Sequence, residues 1–312
     1  MILTKRPSED LSHETLPPPK SRSHNRGGSA AASLLLMTCS FLWAIATPLL
    51  ALEVEVTPSD PQLGDTLSVK IELDPGEAPP TEVSMSEKTY PVFPVNANKY
   101  RALVPTTPLD PPGRRVIRVT GTNEVRNIGV WVSDRSFPTQ SIWLPPDKED
   151  LLGTDYEFDL VDAFKALVTP EKFWNGPFLR PNSGFVSSIY GVRRYYNGVF
   201  ADGYYHRGVD YAGPHGSPVL APAGGRIALV GRESDGFEIH GNTVGIDHGQ
   251  GVVSIMIHLS QIYVQEGDMV EAGQSIGSVG TTGASTGPHL HWGLYVNGQS
   301  VDPVPWRFES IE

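Results

Sequence analysis

Short runs of alternating apolar and polar residues, each bounded by glycine, proline or aspartate, recur along most of this sequence and limit it to a β-rich fold. Successive side chains of a strand point to opposite faces, so a run with period two makes a strand with one buried and one exposed face. The 32 glycines and 28 prolines supply the turns that such strands need. We therefore predict a mostly β protein rather than a helical bundle.

The first 51 residues predict an export segment. Residues 1–29 are polar with scattered lysines and arginines, and an uncharged run follows from residue 30 to residue 52. This is the layout of a secretory signal, with small residues at Ala44, Ala46 and Ala51 as cleavage points, but the run is also long enough to span a bilayer as a helix. Cleavage and retention as an N-terminal membrane anchor both stay open. Either outcome places the remainder outside the cytoplasm, in the periplasm or cell envelope.

The charge and the cysteine content of the chain exclude one class of function and two kinds of cysteine site. A net charge of −11 without a basic stripe excludes a general nucleic-acid binder, because phosphate recognition needs concentrated lysine and arginine. The single cysteine, Cys39, lies in the export segment, so the mature chain has neither a disulfide framework nor a cysteine-based zinc site. Any metal must be held by histidine and carboxylate.

Residues 52–135 predict a small β-sandwich. Alternating runs at 52–56, 66–73, 114–119 and 128–132 are separated by turn residues at the spacing typical of such a fold. The segment 58–73 resembles the opening of the immunoglobulin-like modules found on exported bacterial proteins. The domain contains no histidine, and we interpret it as a spacer or as a docking module for a protein partner.

Residues 136–177 predict a linker with one amphipathic helix. Thr154 and Glu157 form a capping-box pattern, and apolar residues at helical spacing follow until Pro170, which cannot continue a helix. We expect one helix from about residue 155 to residue 168, packed against the next domain. From residue 178 to residue 312 strands and glycine-rich turns alternate again, which predicts an antiparallel β domain.

The histidines are concentrated in this last domain. Seven of the nine lie between positions 206 and 291, and the other two, His13 and His24, are in the export segment. His289 and His291 are two residues apart in a run that reads as a strand, so they should face one pocket. There a neutral imidazole can bind a metal or transfer a proton.

Three further positions add to this pair. His206 and Asp210 are four residues apart, and catalytic zinc typically takes three protein ligands and leaves the fourth position to water. His206, Asp210 and either His289 or His291 would complete such a set. His258 closes an apolar run, where we expect it to share a face with Ser254 and Met256 and to project at the rim of the strand.

As a set, these motifs resemble the M23 family of zinc metallopeptidases, the lysostaphin and LytM type that cut peptidoglycan peptides. The resemblance covers about residues 178–306. The motifs occur in the family's order: Tyr-Gly-Val-Arg at 190–193, His206-x-x-x-Asp210, Gly-Ser-Pro-Val at 216–219, Ile-His-Leu-Ser at 257–260, Gly-Pro-His-Leu-His at 287–291 and Val-Asp-Pro at 301–303.

The resemblance implies an antiparallel β metallopeptidase domain with one Zn²⁺ held by His206, Asp210 and His291. It also implies that His258 and His289 are the metal-free catalytic histidines, without saying which of them is the base. Ile257 departs from the small or aromatic residues more usual at its position, which bears on substrate fit and not on metal binding.

The leading hypothesis is an exported zinc endopeptidase that cuts peptidoglycan stem peptides or cross-links with a zinc-activated water and two histidines. Two alternatives stay open: a catalytically silent LytM-like scaffold that activates another wall hydrolase, and a carbohydrate-binding β domain without metal. Tyr204, Tyr205 and Arg193 are either pocket wall or simple packing. The remaining histidines are expected to be structural or exposed: His215, His240 and His248.

Overall fold

The protein is described by a computed structural model that covers residues 52–122, 124–145, 152–309 and 311, and these residues belong to a single compact unit. The predicted export segment, residues 1–51, lies outside the described residues. None of the helices among the described residues combines the length and the apolar character needed to cross a bilayer. The fold is mostly β with antiparallel sheets, as predicted.

The N-terminal part consists of two four-stranded antiparallel sheets, with strand orders β1-β2-β6-β5 and β4-β3-β7-β8. Its strands are β1 (Glu53–Thr57), β2 (Thr66–Glu72), β3 (Glu82–Met85), β4 (Lys88–Tyr90), β5 (Phe93–Pro94), β6 (Lys99–Pro105), β7 (Gly113–Thr120) and β8 (Val125–Val132).

The two sheets pack face to face, because their inward residues form one apolar cluster. Val69 and Ile71 of β2 meet Ile117 and Val119 of β7 in this cluster, and each is almost fully buried. Along β7 the residue between Ile117 and Val119 is the exposed Arg118, so the period-two pattern correctly predicts which face is inside. We call residues 53–132 the sandwich.

The C-terminal part is built on a ten-stranded antiparallel sheet whose main path runs β10-β13-β20-β17-β16-β15-β18. Strands β14, β19 and β21 attach at its side. Its members are β10 (Phe185–Ser188), β13 (Val209–Ala212), β14 (Pro218–Leu220), β15 (Gly225–Gly231), β16 (Asn242–Gly249), β17 (Val252–Ile262), β18 (Met269–Val270), β19 (Ser275–Val279), β20 (His289–Val296) and β21 (Gln299–Val301).

A smaller three-stranded sheet lies beside the large one. It contains β11 (Arg193–Tyr196), β12 (Val199–Phe200) and β9 (Thr139–Ile142). Strand β9 comes from the segment predicted to be a linker and pairs in parallel with β11, the one parallel strand pair of the described sheets. Part of the linker is therefore built into the C-terminal domain.

Helix α1 (Asp155–Lys165) begins where predicted and ends three residues earlier than the predicted residue 168. Its last turn is tightened, since the N–H of Leu167 bonds the carbonyl of Phe164 three residues back. Val161 and Phe164 pack on the large sheet in an apolar cluster with Ile255 and Ile257. The helix thus lies against the C-terminal domain, as expected.

The sandwich is joined to the C-terminal domain by polar contacts as well as by chain continuity. Arg101 of β6 is buried and donates to the carbonyl of Ile311 at 2.8 Å and to the side chain of Gln250. Arg135, just after the sandwich, pairs with Asp302 at 2.7 Å. These contacts hold the two parts in a defined arrangement.

Candidate active site

Two adjacent strands present the candidate ligands on one face of the large sheet. Antiparallel pairing sets Asp210 of β13 opposite His291 of β20, and Ala212 opposite His289. Residues directly opposite one another share a face, so Asp210, His289 and His291 all point to the same side. The intervening pair, Tyr211 and Leu290, points into the core. The prediction that His289 and His291 face one side is confirmed.

His206 reaches the same place from the loop before β13. Its Nε2 lies 2.9 Å from Asp210 Oδ1 and 2.9 Å from His291 Nδ1, and the last two atoms are 2.8 Å apart. The three atoms form a nearly equilateral triangle. Each of the three residues is less than a tenth exposed. We call His206, Asp210 and His291 the ligand cluster.

The chemistry of the ligand cluster fits a cation. The Nδ1–H of His206 donates to the carbonyl of Ile189 at 2.8 Å, which leaves Nε2 with a lone pair turned to the cluster. Asp210 Oδ1 is also only an acceptor, so a single proton on His291 Nδ1 cannot satisfy both neighbours. Two imidazole nitrogens and one carboxylate oxygen are ligands that Zn²⁺ takes in catalytic sites.

Burial and hydrogen bonding keep Asp210 and His291 in the deprotonated form that metal binding needs. Burial alone would raise the pKa of Asp210, but the interactions with His206 and His291 outweigh it and hold this pKa well below its usual range. Burial lowers the pKa of His291 to about 4. At neutral pH the carboxylate is therefore ionised and the imidazole is neutral.

Arg194 binds the carboxylate oxygen of Asp210 that is not part of the ligand cluster. Its Nη2 donates to Asp210 Oδ2 at 3.2 Å and to Ser188 Oγ at 3.4 Å, and Ser188 in turn donates to Gln140 of β9 at 3.0 Å. Arg194 was not predicted from the sequence, where Arg193 was considered instead. The guanidinium of Arg193 lies over the ring of Phe200. Neighbouring residues of a strand face opposite sides, so only the register of β11 distinguishes the two arginines.

His258 and His289 form a second pair of imidazoles beside the ligand cluster. Their ring centroids are 4.9 Å apart. The Nδ1–H of His258 donates to the carbonyl of Thr282 at 2.8 Å, and that of His289 to the carbonyl of Gly287 at 2.8 Å. Each ring therefore keeps its Nε2 lone pair available, and Nε2 of His289 lies 3.9 Å from Asp210 Oδ1.

The side chain of His258 points towards the ligand cluster because its backbone is left-handed inside strand β17. Ile257 pairs with His291 and shares its face, so strict alternation would turn residue 258 to the opposite face, with Met256. His258 instead has φ +65° in a strand whose register shifts at this point. The expectation that His258 shares a face with Ser254 is wrong, because Ser254 accepts a hydrogen bond from Trp292 within the core.

Burial, and next the nearby His289, lower the pKa of His258 well below its ordinary value. Its imidazole is therefore neutral at physiological pH and can accept a proton at Nε2. A left-handed backbone at a non-glycine residue inside a strand is uncommon and is concentrated at functional sites. The conformation gives the chain a buried neutral base next to the ligand cluster.

The other residues named from the sequence are exposed or contact residues outside the ligand cluster. Tyr205 is buried against Tyr190, so simple packing describes it better than a pocket wall. His215 is exposed, and His248 is fully buried between the Gly224 carbonyl and Ser254. His240 pairs with Glu157 of α1.

Comparison with known proteins points to one family. Residues 204–303 match peptidase family M23. The DD-carboxypeptidase/endopeptidase Mpg of Neisseria meningitidis serogroup B is 48% identical over 99 residues, which is 32% of this chain and 22% of that protein. The peptidoglycan DD-endopeptidase ShyA of Vibrio cholerae is 40% identical over 99 residues, again 32% of this chain and 22% of that protein.

A solved structure extends the similarity beyond that segment. A crystal structure described as peptidase M23 from Pseudomonas aeruginosa has a TM-score of 0.60 at 28% identity, and the match covers 80% of this chain and 96% of that one. The chain spans only about a fifth of the length of the curated relatives it matches, 22% in the first.

Proposed function

We propose, on the premise that residues 204–303 of this chain belong to peptidase family M23, that it is an exported zinc-dependent endopeptidase acting on stem peptides or cross-links of peptidoglycan. The observation that carries the proposal is the triangle of His206 Nε2, Asp210 Oδ1 and His291 Nδ1, with two further imidazoles beside it. The printed names of the relatives, a DD-carboxypeptidase/endopeptidase and a peptidoglycan DD-endopeptidase, support the substrate class.

In this proposal His206, Asp210 and His291 hold one Zn²⁺. The chemistry that a bound Zn²⁺ would supply here is polarisation of the scissile carbonyl and activation of water near neutral pH. Arg194 and the Ile189 carbonyl orient two of the ligands through their second polar atoms. All three residues are buried, which strengthens the attraction between the Asp210 carboxylate and a bound cation.

His258 and His289 perform the proton transfers. Each has a free Nε2 and an Nδ1–H held by a backbone carbonyl, so each can take a proton from the attacking water and give one to the leaving amine. Whichever imidazole is protonated at Nε2 donates to the oxyanion of the tetrahedral intermediate and stabilises it by a few kcal/mol. The two roles are shared between these residues.

The partition of the chain follows the same proposal. Residues 52–135 form an immunoglobulin-like domain, residues 136–177 the connecting segment and residues 178–312 the peptidase domain, after an export signal or anchor in residues 1–51. Support for the first assignment comes from the strand orders β1-β2-β6-β5 and β4-β3-β7-β8, which correspond to the A-B-E-D and C′-C-F-G sheets of immunoglobulin domains. This domain either binds a protein partner or acts as a spacer for the peptidase domain, in the periplasm or cell envelope. As a spacer it would hold the peptidase domain away from the membrane if residues 30–52 remain uncleaved as an anchor.

The test is digestion of defined muropeptides by the zinc-loaded full chain, with products identified by mass spectrometry. Wild type should release cleaved stem peptides, and His258→Ala should lower the rate by about 10²- to 10⁴-fold with zinc still bound. His215→Ala, at an exposed histidine of the same domain, is the matched control and should cleave like wild type. Zinc-loaded wild type that releases nothing from any cross-link would favour the silent-scaffold alternative.

A further inference from the structure

We propose that Glu157, on helix α1 and outside the family-matched residues 204–303, is a positioning residue for the catalytic imidazole of His258. The role assigned to His258 rests on the proposed function, whereas the contacts from Glu157 to it do not. Glu157 stands at the capping-box position of α1. There a glutamate side chain ordinarily turns back to the backbone of its own helix.

The carboxylate of Glu157 is instead completely buried against a loop of the large sheet. It accepts the backbone N–H groups of Glu238, Ile239 and His240 at 2.6–3.1 Å and faces Nδ1 of His240 at 2.6 Å. Only half of the capping box forms, with Thr154 Oγ accepting the N–H of Glu157. A buried carboxylate without such donors would be strongly unfavourable, so these bonds lock residues 238–240 to the helix.

The locked loop bears on the backbone of His258. The carbonyl of His240 accepts the N–H of His258 at 3.0 Å. His258 is the residue whose positive φ turns its ring into the pocket. Because such a conformation is unfavourable for a residue with a side chain, it persists only where the surrounding structure holds it. The bond from His240 supplies part of that constraint.

The same loop also bears on the group that orients the His258 ring. The carbonyl of Ile239 accepts the N–H of Ala284 at 2.9 Å, and the N–H of Asn242 donates to Thr282 Oγ1 at 3.0 Å. The carbonyl of Thr282 is the acceptor for Nδ1–H of His258. Glu157 is therefore linked to His258 by two routes, one through its backbone and one through its ring.

Glu157→Gln keeps the size of the side chain but replaces an acceptor oxygen with an amide nitrogen, which repels the N–H groups that the carboxylate binds. The loop must then shift, and His258 with it. We expect kcat to fall by about 10- to 100-fold, since a displacement of about 1 Å has that effect on an oriented catalytic group. KM and zinc affinity should stay at wild-type values, because no ligand residue contacts Glu157.

The experiment compares the full chain as wild type, Glu157→Gln and Val161→Ala. Val161 lies one turn further along the same helix and is fully buried, but its side chain is apolar, so its variant reports loss of stability alone. The readouts are kcat and KM on a muropeptide, zinc affinity by chelator competition, and the ring resonances of His258 in ¹³C,¹⁵N-histidine-labelled protein. The proposal expects the kcat loss and the shifted His258 resonances only for Glu157→Gln.

Equal kcat losses in the two variants, in proportion to their thermal stability, would overturn the proposal. If zinc-loaded wild type proves inactive, the proposed function fails, but the NMR resonances still test the role of Glu157. Unchanged His258 signals in Glu157→Gln would refute the positioning role. Should Glu157→Gln not fold, His240→Ala removes the ring contact and leaves the three backbone N–H bonds. It should shift the same resonances by a smaller amount, and unchanged signals there would count against the proposal.

Discussion

The sandwich and the C-terminal domain follow the same period-two rule but bury different chemistry. In the sandwich, inward positions are apolar and outward positions carry the charges, and its buried arginine, Arg101, lies where the two domains meet. In the C-terminal domain one sheet face buries Asp210 with several imidazoles. Buried charges are costly unless they are paired or bind a metal, so their concentration in one region indicates where function lies.

Backbone strain distinguishes the two regions in the same way. In the sandwich, Ser86 and Glu87 have φ of 50° and 65° at the two-residue turn between β3 and β4, where a tight hairpin requires such values. His258 has φ +65° inside a strand, where no turn requires it. The same conformation thus makes a hairpin turn in one region and directs the imidazole of His258 towards the ligand cluster in the other.

The largest expected effect is at the ligand cluster. Asp210→Ala should reduce zinc affinity by more than about 100-fold and remove peptidase activity, because it deletes one of three ligands. Metal content after dialysis and chelator competition would measure the affinity. Asp247→Ala is a useful control, since Asp247 is equally buried but lies outside the ligand cluster. Equal zinc affinity in wild type and Asp210→Ala would show that the buried carboxylate of the C-terminal domain does not bind the metal.

A core variant in the sandwich should affect stability without affecting chemistry. Ile71 is 1% exposed in the apolar cluster, so Ile71→Ala should lower the free energy of unfolding by about 2–5 kcal/mol. Denaturant titration measures this loss, and kcat per folded molecule should equal that of wild type. A lower kcat in the folded protein would show that the sandwich contributes to catalysis.

The buried imidazole of His248 should make metal-free protein sensitive to acid. Burial lowers its pKa from 6.5 to about 4, so between these values the unfolded chain binds a proton that the folded chain does not. Stability therefore falls as pH decreases from 6.5 towards 4, by about 2 kcal/mol between pH 7 and pH 4.5 from this residue. Denaturant titrations at both pH values should show a smaller loss in His248→Gln than in wild type. An equal loss of stability in both proteins would show that His248 is not the source of the acid sensitivity.

The smallest effect concerns the support behind the ligands. Arg194→Gln should weaken zinc binding by about 10- to 100-fold, the range usual for groups that orient a metal ligand. Arg193→Gln is the matched control, because its guanidinium packs on Phe200 and should leave the affinity unchanged. Chelator competition on both variants distinguishes them. Equal affinities would mean that the contact between Arg194 and Asp210 does not support the metal.

Much of this architecture is readable from the sequence because it depends on local periodicity. Alternation marks strands such as Ser275–Val279 with its observed bounds, and it places His289 and His291 on one face. The start of α1 follows from its cap. The residue types of the ligand cluster are also evident, since few other side chains can bind a metal in a chain whose only cysteine, Cys39, lies in the predicted export segment.

Tertiary structure decides whatever depends on register, on backbone reversal or on contacts distant in sequence. The register of β11 selects Arg194 over Arg193, and the positive φ of His258 overrides the alternation that predicts its face. The side chain of Glu157 turns away from its own helix to a loop that lies 81 to 83 residues further along the chain. Periodicity specifies the direction of a side chain within its own element, whereas these outcomes depend on which elements lie beside it.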